Sequence, residues 1–230
     1  MYTKIIAFVI QNYVHFKAFS PPNPSLSTKK IMLTEGIVGI VFAQFLPTLV
    51  IIFNLMQSLL YIHVMYQQEI SSIPILPDEN YKFSEWNLLD IVWFLCIVGG
   101  SLLRIWCFKC LKAYFTFHVT IKKKHKLITT GPYSLLVHPS YTGATLVTAN
   151  YLMTYRLCYY IPLYLHFSFN WNIILILCIM VFASGNMIAN IMVYKRITYE
   201  EAALKKRFGK AWDVYFSQRK SAGQICLAVM

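Results

Sequence analysis

Long apolar runs dominate this chain and restrict what it can fold into. They cover about residues 5–19, 36–64, 88–108, 141–166 and 171–194. Runs of about 20 residues are long enough to cross a bilayer core of about 30 Å as an α-helix. Hydrophobic residues make up 57% of the 230 residues and charged residues only 13%, whereas a soluble domain has about a quarter charged residues. The sequence therefore predicts an all-α, polytopic transmembrane helical bundle of about five spans, forming a single membrane-embedded domain over 1–230.

Individual residues modify these predicted spans. The first run is short and partly polar, so it predicts a weak span. Pro47 predicts a kink in the second run, and Pro162 predicts that the fourth is bent or broken into a hairpin. In the third run, Gly99 and Gly100 predict close contact with another helix. Arg104, near the end of that run, is predicted to extend to the membrane interface.

Positive charge is concentrated between the apolar runs. The net charge is +12, and most lysines and arginines lie in 109–130 and in the tail after 194, whereas 67–87 is acidic. This alternation follows the positive-inside rule and argues against a nucleic-acid partner. It predicts a lumenal N-terminus and a cytosolic C-terminal helix. Segments 117–141 and 195–216 are then expected to share one membrane face.

Several common catalytic motifs are absent from the sequence. It contains no G-x-G-x-x-G or Walker loop, so any nucleotide-like cofactor must bind without a Rossmann strand. It also contains no G-x-S-x-G or H-E-x-x-H, so a hydrolase has little support. The six cysteines predict neither a disulfide framework nor a zinc site, and no metal is expected.

The stretch "HKLITTGPYSLLVHPSYTG" at 125–143 is the first candidate site. Gly131 and Pro132 predict a turn, and Pro139 either ends a helix or begins one in its first turn. Four polar side chains could converge there on a ligand at the membrane surface: Tyr133, His138, Ser140 and Tyr141. The alternative is an interfacial turn with anchoring tyrosines.

The stretch "RITYEEAAL" at 196–204 is the second candidate site. Arg196 and Glu200 are four residues apart, so they share one face of the helix predicted over 196–216, which Gly209 interrupts. One interpretation pairs a guanidinium for an anionic substrate with a carboxylate for a cationic cofactor. The other is a surface ion pair of little energetic value.

These motifs resemble the isoprenylcysteine carboxyl methyltransferase family of the endoplasmic reticulum. The similar segments are "GPY" (131–133), "VHPSYTG" (137–143), "RITYEE" (196–201) and "RFG" (207–209), in the family's order and spacing. The resemblance is good over about 110–216, and "SPPNPS" (20–25) is similar to the fungal branch. It implies N-terminal transmembrane helices over 1–110, a methyltransferase catalytic region over 111–216 and a divergent tail over 217–230.

The resemblance also implies an activity and a location. The expected reaction is S-adenosylmethionine-dependent methylation of the C-terminal carboxylate of prenylated cysteine. The expected partners are prenylated, CaaX-processed proteins and the lipid bilayer. The expected location is the endoplasmic reticulum membrane, with a multi-pass chain whose active face is cytosolic.

Specific residues carry these implied roles. Arg196 is expected to face the carboxylate of the prenylcysteine, as both the catalytic and the substrate-binding residue. The implied cofactor-binding residues are His125, Lys126, Leu127, Ile128, Tyr133, His138, Pro139, Ser140, Tyr141 and Glu200.

Two departures from the family pattern leave alternatives open. Val137 stands where the family has an arginine before His-Pro, which predicts weaker cofactor binding. The tail after about 215 lacks the family's usual final proline-containing segment. The alternatives are a methyltransferase of the same superfamily acting on phospholipids or other small molecules, an NADPH-dependent enzyme similar to sterol reductases, and an inactive membrane scaffold that retains the fold.

Overall fold

Helices account for the regular structure in the described part of the chain. The computed structural model describes residues 1–23, 40–71, 82–117, 126–148 and 191–228, without the side chains of 42, 43, 71 and 220–228. The helices are α1 (Tyr2–Phe19), α2 (Leu46–Ser71), α3 (Leu88–Leu111), α4 (Pro139–Val147), α5 (191–208) and α6 (Lys210–Ala228). These ranges contain no β-strand, which confirms the predicted all-α class.

Helices α1 and α3 lie side by side and run in the same direction. Lys4 Nζ lies 2.6 Å from a carboxylate oxygen of Asp90, and Arg104 Nε donates to the Ala18 carbonyl at 3.1 Å. Both pairs are separated by 86 residues, so the two helices keep one register from end to end. Asp90 also stabilises the start of α3, because it forms a reciprocal capping box with the N-cap residue Asn87.

Helix α2 runs antiparallel to α1. Lys4 Nζ donates to the Tyr61 hydroxyl at 2.9 Å, whereas Gln11 Nε2 donates to Asn54 Oδ1 at 2.6 Å. A higher number in α1 therefore meets a lower number in α2. A π-helical turn over Val41–Phe45 immediately precedes α2, since a proline in the first turns of a helix disturbs the hydrogen bonds of the preceding turn. The kink at Pro47 itself stays a prediction.

The first three helices bury polar as well as apolar side chains, and they expose many apolar ones. Their buried polar side chains include Lys4, Gln11, His15, Asn54, Asp90, Ser101 and Arg104. Their exposed apolar side chains include Ile6, Val9, Ile52, Leu59, Leu95 and Leu102. An extensive apolar surface fits lipid better than water. Within the described ranges, two segments are long and apolar enough to cross a membrane, Leu46–Ile70 and Leu88–Tyr114.

This arrangement supports a membrane protein and leaves its finer topology as a prediction. The count of about five spans and the cytosolic position of the C-terminal helix stay predictions. Most of the fourth and fifth predicted runs, with the expected bend at Pro162, lie outside the described residues.

Two glycines bring α3 and α4 into backbone contact. A Cβ added to Gly143 would lie 2.6 Å from the carbonyl oxygen of Gly100, and one added to Gly100 would lie 2.6 Å from the Gly143 carbonyl. The predicted close contact is therefore confirmed at Gly100, whereas a Cβ added to Gly99 would meet no atom within 4 Å. Because Arg104 contacts Ser140 and Gly100 contacts Gly143, α4 runs antiparallel to α3.

Replacement of Gly143 by alanine should destabilise this helix pair. The new methyl group would overlap a backbone carbonyl that cannot rotate away, at a cost of about 1–3 kcal/mol. Gly99→Ala is the matched control, since it adds the same group on the same helix pair into open space. Thermal unfolding in detergent should show a lower Tm for Gly143→Ala alone. Equal Tm values for the two variants would contradict the close approach.

Candidate active site

The first candidate motif forms a tight turn against the end of α3. Residues Gly131–Ser134 make one turn of 3-10 helix, and Gly131 has φ +64°, which favours glycine. A Cβ at Gly131 would lie 2.7 Å from the Cys110 sulfur. Glycine is therefore required here both by the backbone conformation and by the close packing on α3.

Pro139 places the second half of this motif. It begins α4 as an N-terminal residue of the helix, with His138 as the N-cap, which confirms one of the two predicted roles. The next two residues, Ser140 and Tyr141, consequently lie in the first turn of α4. Their positions face α3 and α5 respectively, as their hydrogen bonds show.

The Tyr141 hydroxyl joins the two candidate motifs. It donates to Glu200 Oε2 at 3.0 Å and accepts from Arg196 Nε at 3.0 Å. Arg196 is only 8% exposed and also donates to the Phe117 carbonyl. The i,i+4 spacing of Arg196 and Glu200 therefore directs both side chains to one hydroxyl. A guanidinium buried in this way is held in a fixed orientation.

His138 pairs with a residue that the sequence did not single out. Its Nε2 lies 2.9 Å from Oε1 of Glu201, and its ring meets the Tyr141 ring edge-on at 5.8 Å between centroids. Glu200 and Glu201 therefore hold two residues of the first motif that are three positions apart. The consecutive glutamates in "YEE" are the sequence feature that could have indicated this pairing, since each can reach a different residue of the turn that faces them.

Arg104 lies inside the helix bundle, so the prediction that it extends to the membrane interface is wrong. The side chain is 7% exposed and donates to the Ala18 carbonyl and to both oxygens of Ser140, at 3.1 and 3.2 Å for the carbonyl and the hydroxyl. Position along an apolar run indicates depth but not the face of the helix. Here the face of α3 that carries Arg104 is covered by α1 and α4.

Helix α6 contacts the Gly131–Ser134 turn from the side opposite to α3. The Tyr215 hydroxyl lies 2.9 Å from the Tyr133 carbonyl and 3.3 Å from the Leu136 carbonyl. Burial raises the pKa of Tyr215 to about 12, and it also raises the pKa of Tyr133. The Tyr215 hydroxyl therefore remains protonated at neutral pH and keeps its donor role. Arg219 adds a hydrogen bond to the Ser134 carbonyl at 3.1 Å.

Val137 packs beneath the same helix. It is 6% exposed and forms an apolar cluster with Trp212 and Tyr215. The cluster also includes partly buried Leu127, Leu204, Phe208 and Phe216. An arginine at position 137 would place a charge among these side chains, so the valine suits the way α6 lies in this chain. The expected loss of cofactor affinity stays a prediction.

The other predicted cofactor residues are distributed unevenly around this site. Pro139 is buried at the start of α4, Leu127 belongs to the Val137 cluster and Ile128 is half-buried. Lys126 is exposed. His125 lies outside the described residues. The structure thus brings His138, Ser140, Tyr141, Arg196 and Glu200 together, while Tyr133 joins them through its turn.

The comparisons with known proteins give a family. A sequence model described as the isoprenylcysteine carboxyl methyltransferase (ICMT) family matches residues 92–206. The match covers half of the chain and includes both motifs and most of α3. The chain belongs to this family. No curated protein and no solved structure matches it.

Proposed function

We propose that this chain transfers a methyl group from S-adenosylmethionine to the C-terminal carboxylate of a prenylated cysteine in CaaX-processed proteins. The observation that carries the proposal is the Tyr141 hydroxyl, which connects Arg196 to Glu200 and so joins two motifs about 60 residues apart. We further propose that the protein lies in the endoplasmic reticulum membrane with this site on the cytosolic face. The basic charge of the tail supports that orientation.

The charges around the site suit a cationic cofactor. S-adenosylmethionine supplies an electrophilic methyl group on a sulfonium cation. The Glu200 and Glu201 carboxylates lie beside the His138–Tyr141 turn, where they favour positive charge. In this proposal Glu200, His138, Ser140 and Tyr141 contact the cofactor, Pro139 shapes the turn, and Tyr133 with His125, Lys126, Leu127 and Ile128 forms the adjoining wall.

Arg196 would orient the acceptor carboxylate. A C-terminal carboxyl group has a pKa of about 3.3–3.7, so it is already ionised at neutral pH and needs no general base. One carboxylate oxygen forms the new bond to the methyl carbon as the bond from that carbon to sulfur breaks, leaving a neutral thioether and a methyl ester. The residues contribute by aligning the two reactants and excluding water, which supplies several kcal/mol. A planar guanidinium held by Tyr141 and Phe117 suits that alignment.

The apolar outer surface of the bundle offers a route for the prenyl group. Leu102 and Trp106 are about half exposed on α3, within a turn of Arg104. A prenyl chain lying in the bilayer could reach the site along such a surface without leaving an apolar environment. The bound acceptor would then have its lipid in the membrane and its carboxylate at the buried Arg196.

A transfer assay in membranes tests the proposal. Membranes that contain the protein would be incubated with methyl-labelled S-adenosylmethionine and N-acetyl-S-farnesylcysteine, beside a competent enzyme of the same activity. We expect a base-labile methyl ester to form. Label appearing instead on a phospholipid amine would support the phospholipid alternative. In a separate thermal-shift measurement, stabilisation by NADPH and not by S-adenosylmethionine would support the reductase-like alternative. If no methyl group is transferred to any acceptor, the inactive membrane scaffold is the alternative that the result supports.

A further inference from the structure

We propose that Arg104 is a positioning residue for the methyl-transfer site, acting through Ser140 and Tyr141. The inference depends on the proposed function, because it assumes that the first turn of α4 contacts the cofactor. Arg104 is predicted to set where that turn lies, and thereby the orientation of Tyr141 and of the two charged groups that Tyr141 holds.

The contacts of Arg104 span three helices at one level of the bundle. Nε donates to the Ala18 carbonyl at the end of α1, and Nη1 donates to the carbonyl and the hydroxyl of Ser140 at the start of α4. The guanidinium carbon lies 4.5 Å from the Phe19 ring centroid and 5.8 Å from that of Phe117. Both the hydrogen bonds and the aromatic faces restrict its position.

Stability alone does not account for an arginine at this position. Its hydrogen-bond partners among the described residues are neutral oxygens, so no carboxylate there compensates its burial. Burying a charge is costly, and well-packed apolar residues often stabilise a protein as well as a buried ion pair does. The apolar alternative would, however, provide no donor for the Ser140 oxygens. Control of the turn is therefore the property that distinguishes arginine here.

Adjacent residues of the turn are held by different arginines. Arg104 binds Ser140, and Arg196 binds Tyr141. Both arginines also meet Phe117, one over its ring and the other at its carbonyl. A shift of Ser140 would consequently move the Tyr141 hydroxyl relative to Arg196 and Glu200. Small misplacements of this kind reduce catalysis strongly even when no reacting group is removed.

The test compares two ends of the α1–α3 interface. Arg104→Met removes the donors near the site, whereas the double variant Lys4→Met/Asp90→Asn removes the buried ion pair at the opposite end of the α1–α3 interface, about 21 Å away along α3. Each variant would be purified in detergent and measured for its Tm, its Kd for S-adenosylmethionine and its kcat and KM for N-acetyl-S-farnesylcysteine. All binding and rate measurements would be made below the lowest Tm.

The expected results separate positioning from stability. Arg104→Met should raise the Kd for S-adenosylmethionine about tenfold or more, since it removes charged hydrogen bonds to the turn. The Lys4/Asp90 double variant should lower Tm while its Kd, kcat and KM stay at wild-type values. Arg104→Lys should recover part of the affinity, because its ammonium can reach the Ser140 oxygens. Unlike the guanidinium, it cannot also donate to the Ala18 carbonyl.

Contrary results have distinct meanings. If wild-type protein binds S-adenosylmethionine and the Arg104 variants bind it equally well, Arg104 is only structural and this inference is wrong. If folded wild-type protein does not bind it, the proposed function fails and this inference fails with it. Should Arg104→Met not fold, the comparison of Arg104→Lys with wild type decides: an unchanged Kd overturns the inference, and a raised Kd supports it.

Discussion

Replacement of Arg196 by alanine is expected to reduce methyl-ester formation about a thousandfold while the protein remains folded. The guanidinium is buried, donates to Tyr141 and Phe117, and is the proposed receptor for the acceptor carboxylate. Its loss would remove both the charge that attracts the carboxylate and the group that aligns it. The measurement is kcat/KM for N-acetyl-S-farnesylcysteine with saturating S-adenosylmethionine.

Arg196→Lys provides a stricter form of the same test. Lysine keeps the charge but cannot reproduce two separate donations in the plane of a guanidinium, so about a hundredfold loss is expected. Lys195→Ala is the matched control, because it removes the exposed cation next in sequence on the same helix. A similar small loss for Arg196→Ala and Lys195→Ala would show that Arg196 serves only the net charge of the tail.

Tyr141→Phe is expected to lower kcat/KM about 10–100-fold. It deletes one oxygen atom and with it the hydrogen bonds to two charged groups. Arg196 and Glu200 would then lose their common partner. Tyr199→Phe removes the same atom from a tyrosine on α5 that is 71% exposed, and it should have wild-type activity.

A double-mutant cycle would show whether Tyr141 acts through Glu200. Glu200→Gln should by itself raise the Kd for S-adenosylmethionine, because it removes the carboxylate proposed to face the cationic cofactor. Combined with Tyr141→Phe, the free-energy losses should fall short of their sum, since glutamine removes the charge of the acceptor in the hydrogen bond that Tyr141→Phe deletes. Additive losses would indicate that the two residues contribute separately.

Much of the site was predictable because its features are local in sequence. Pro139 begins α4, and Gly209, with φ +52°, separates α5 from α6, as proline and glycine chemistry predicts. The i,i+4 spacing placed Arg196 and Glu200 on one face, and their common contact with Tyr141 follows from it. The glycine pair in the third run indicated a helix contact, although only Gly100 makes it.

The missed features depend on which helices face each other. Nothing within the third run shows that α1 and α4 cover the side of α3 that carries Arg104. The pairing of His138 with Glu201 likewise depends on how α5 is rotated toward α4. Val137 looks like a loss when compared with the family motif, but it fits the apolar cluster that α6 forms above the turn. Such contacts join segments that are distant in sequence and have no local signal.

Binding followed by turnover in one sample would show whether this chain is a prenylcysteine carboxyl methyltransferase. Purified protein in detergent would be titrated with S-adenosylmethionine by calorimetry, and N-acetyl-S-farnesylcysteine would then be added to the same sample. We expect saturable binding of the cofactor and then formation of a base-labile methyl ester on the acceptor. Folded, monodisperse protein that neither binds the cofactor nor forms the ester would contradict it.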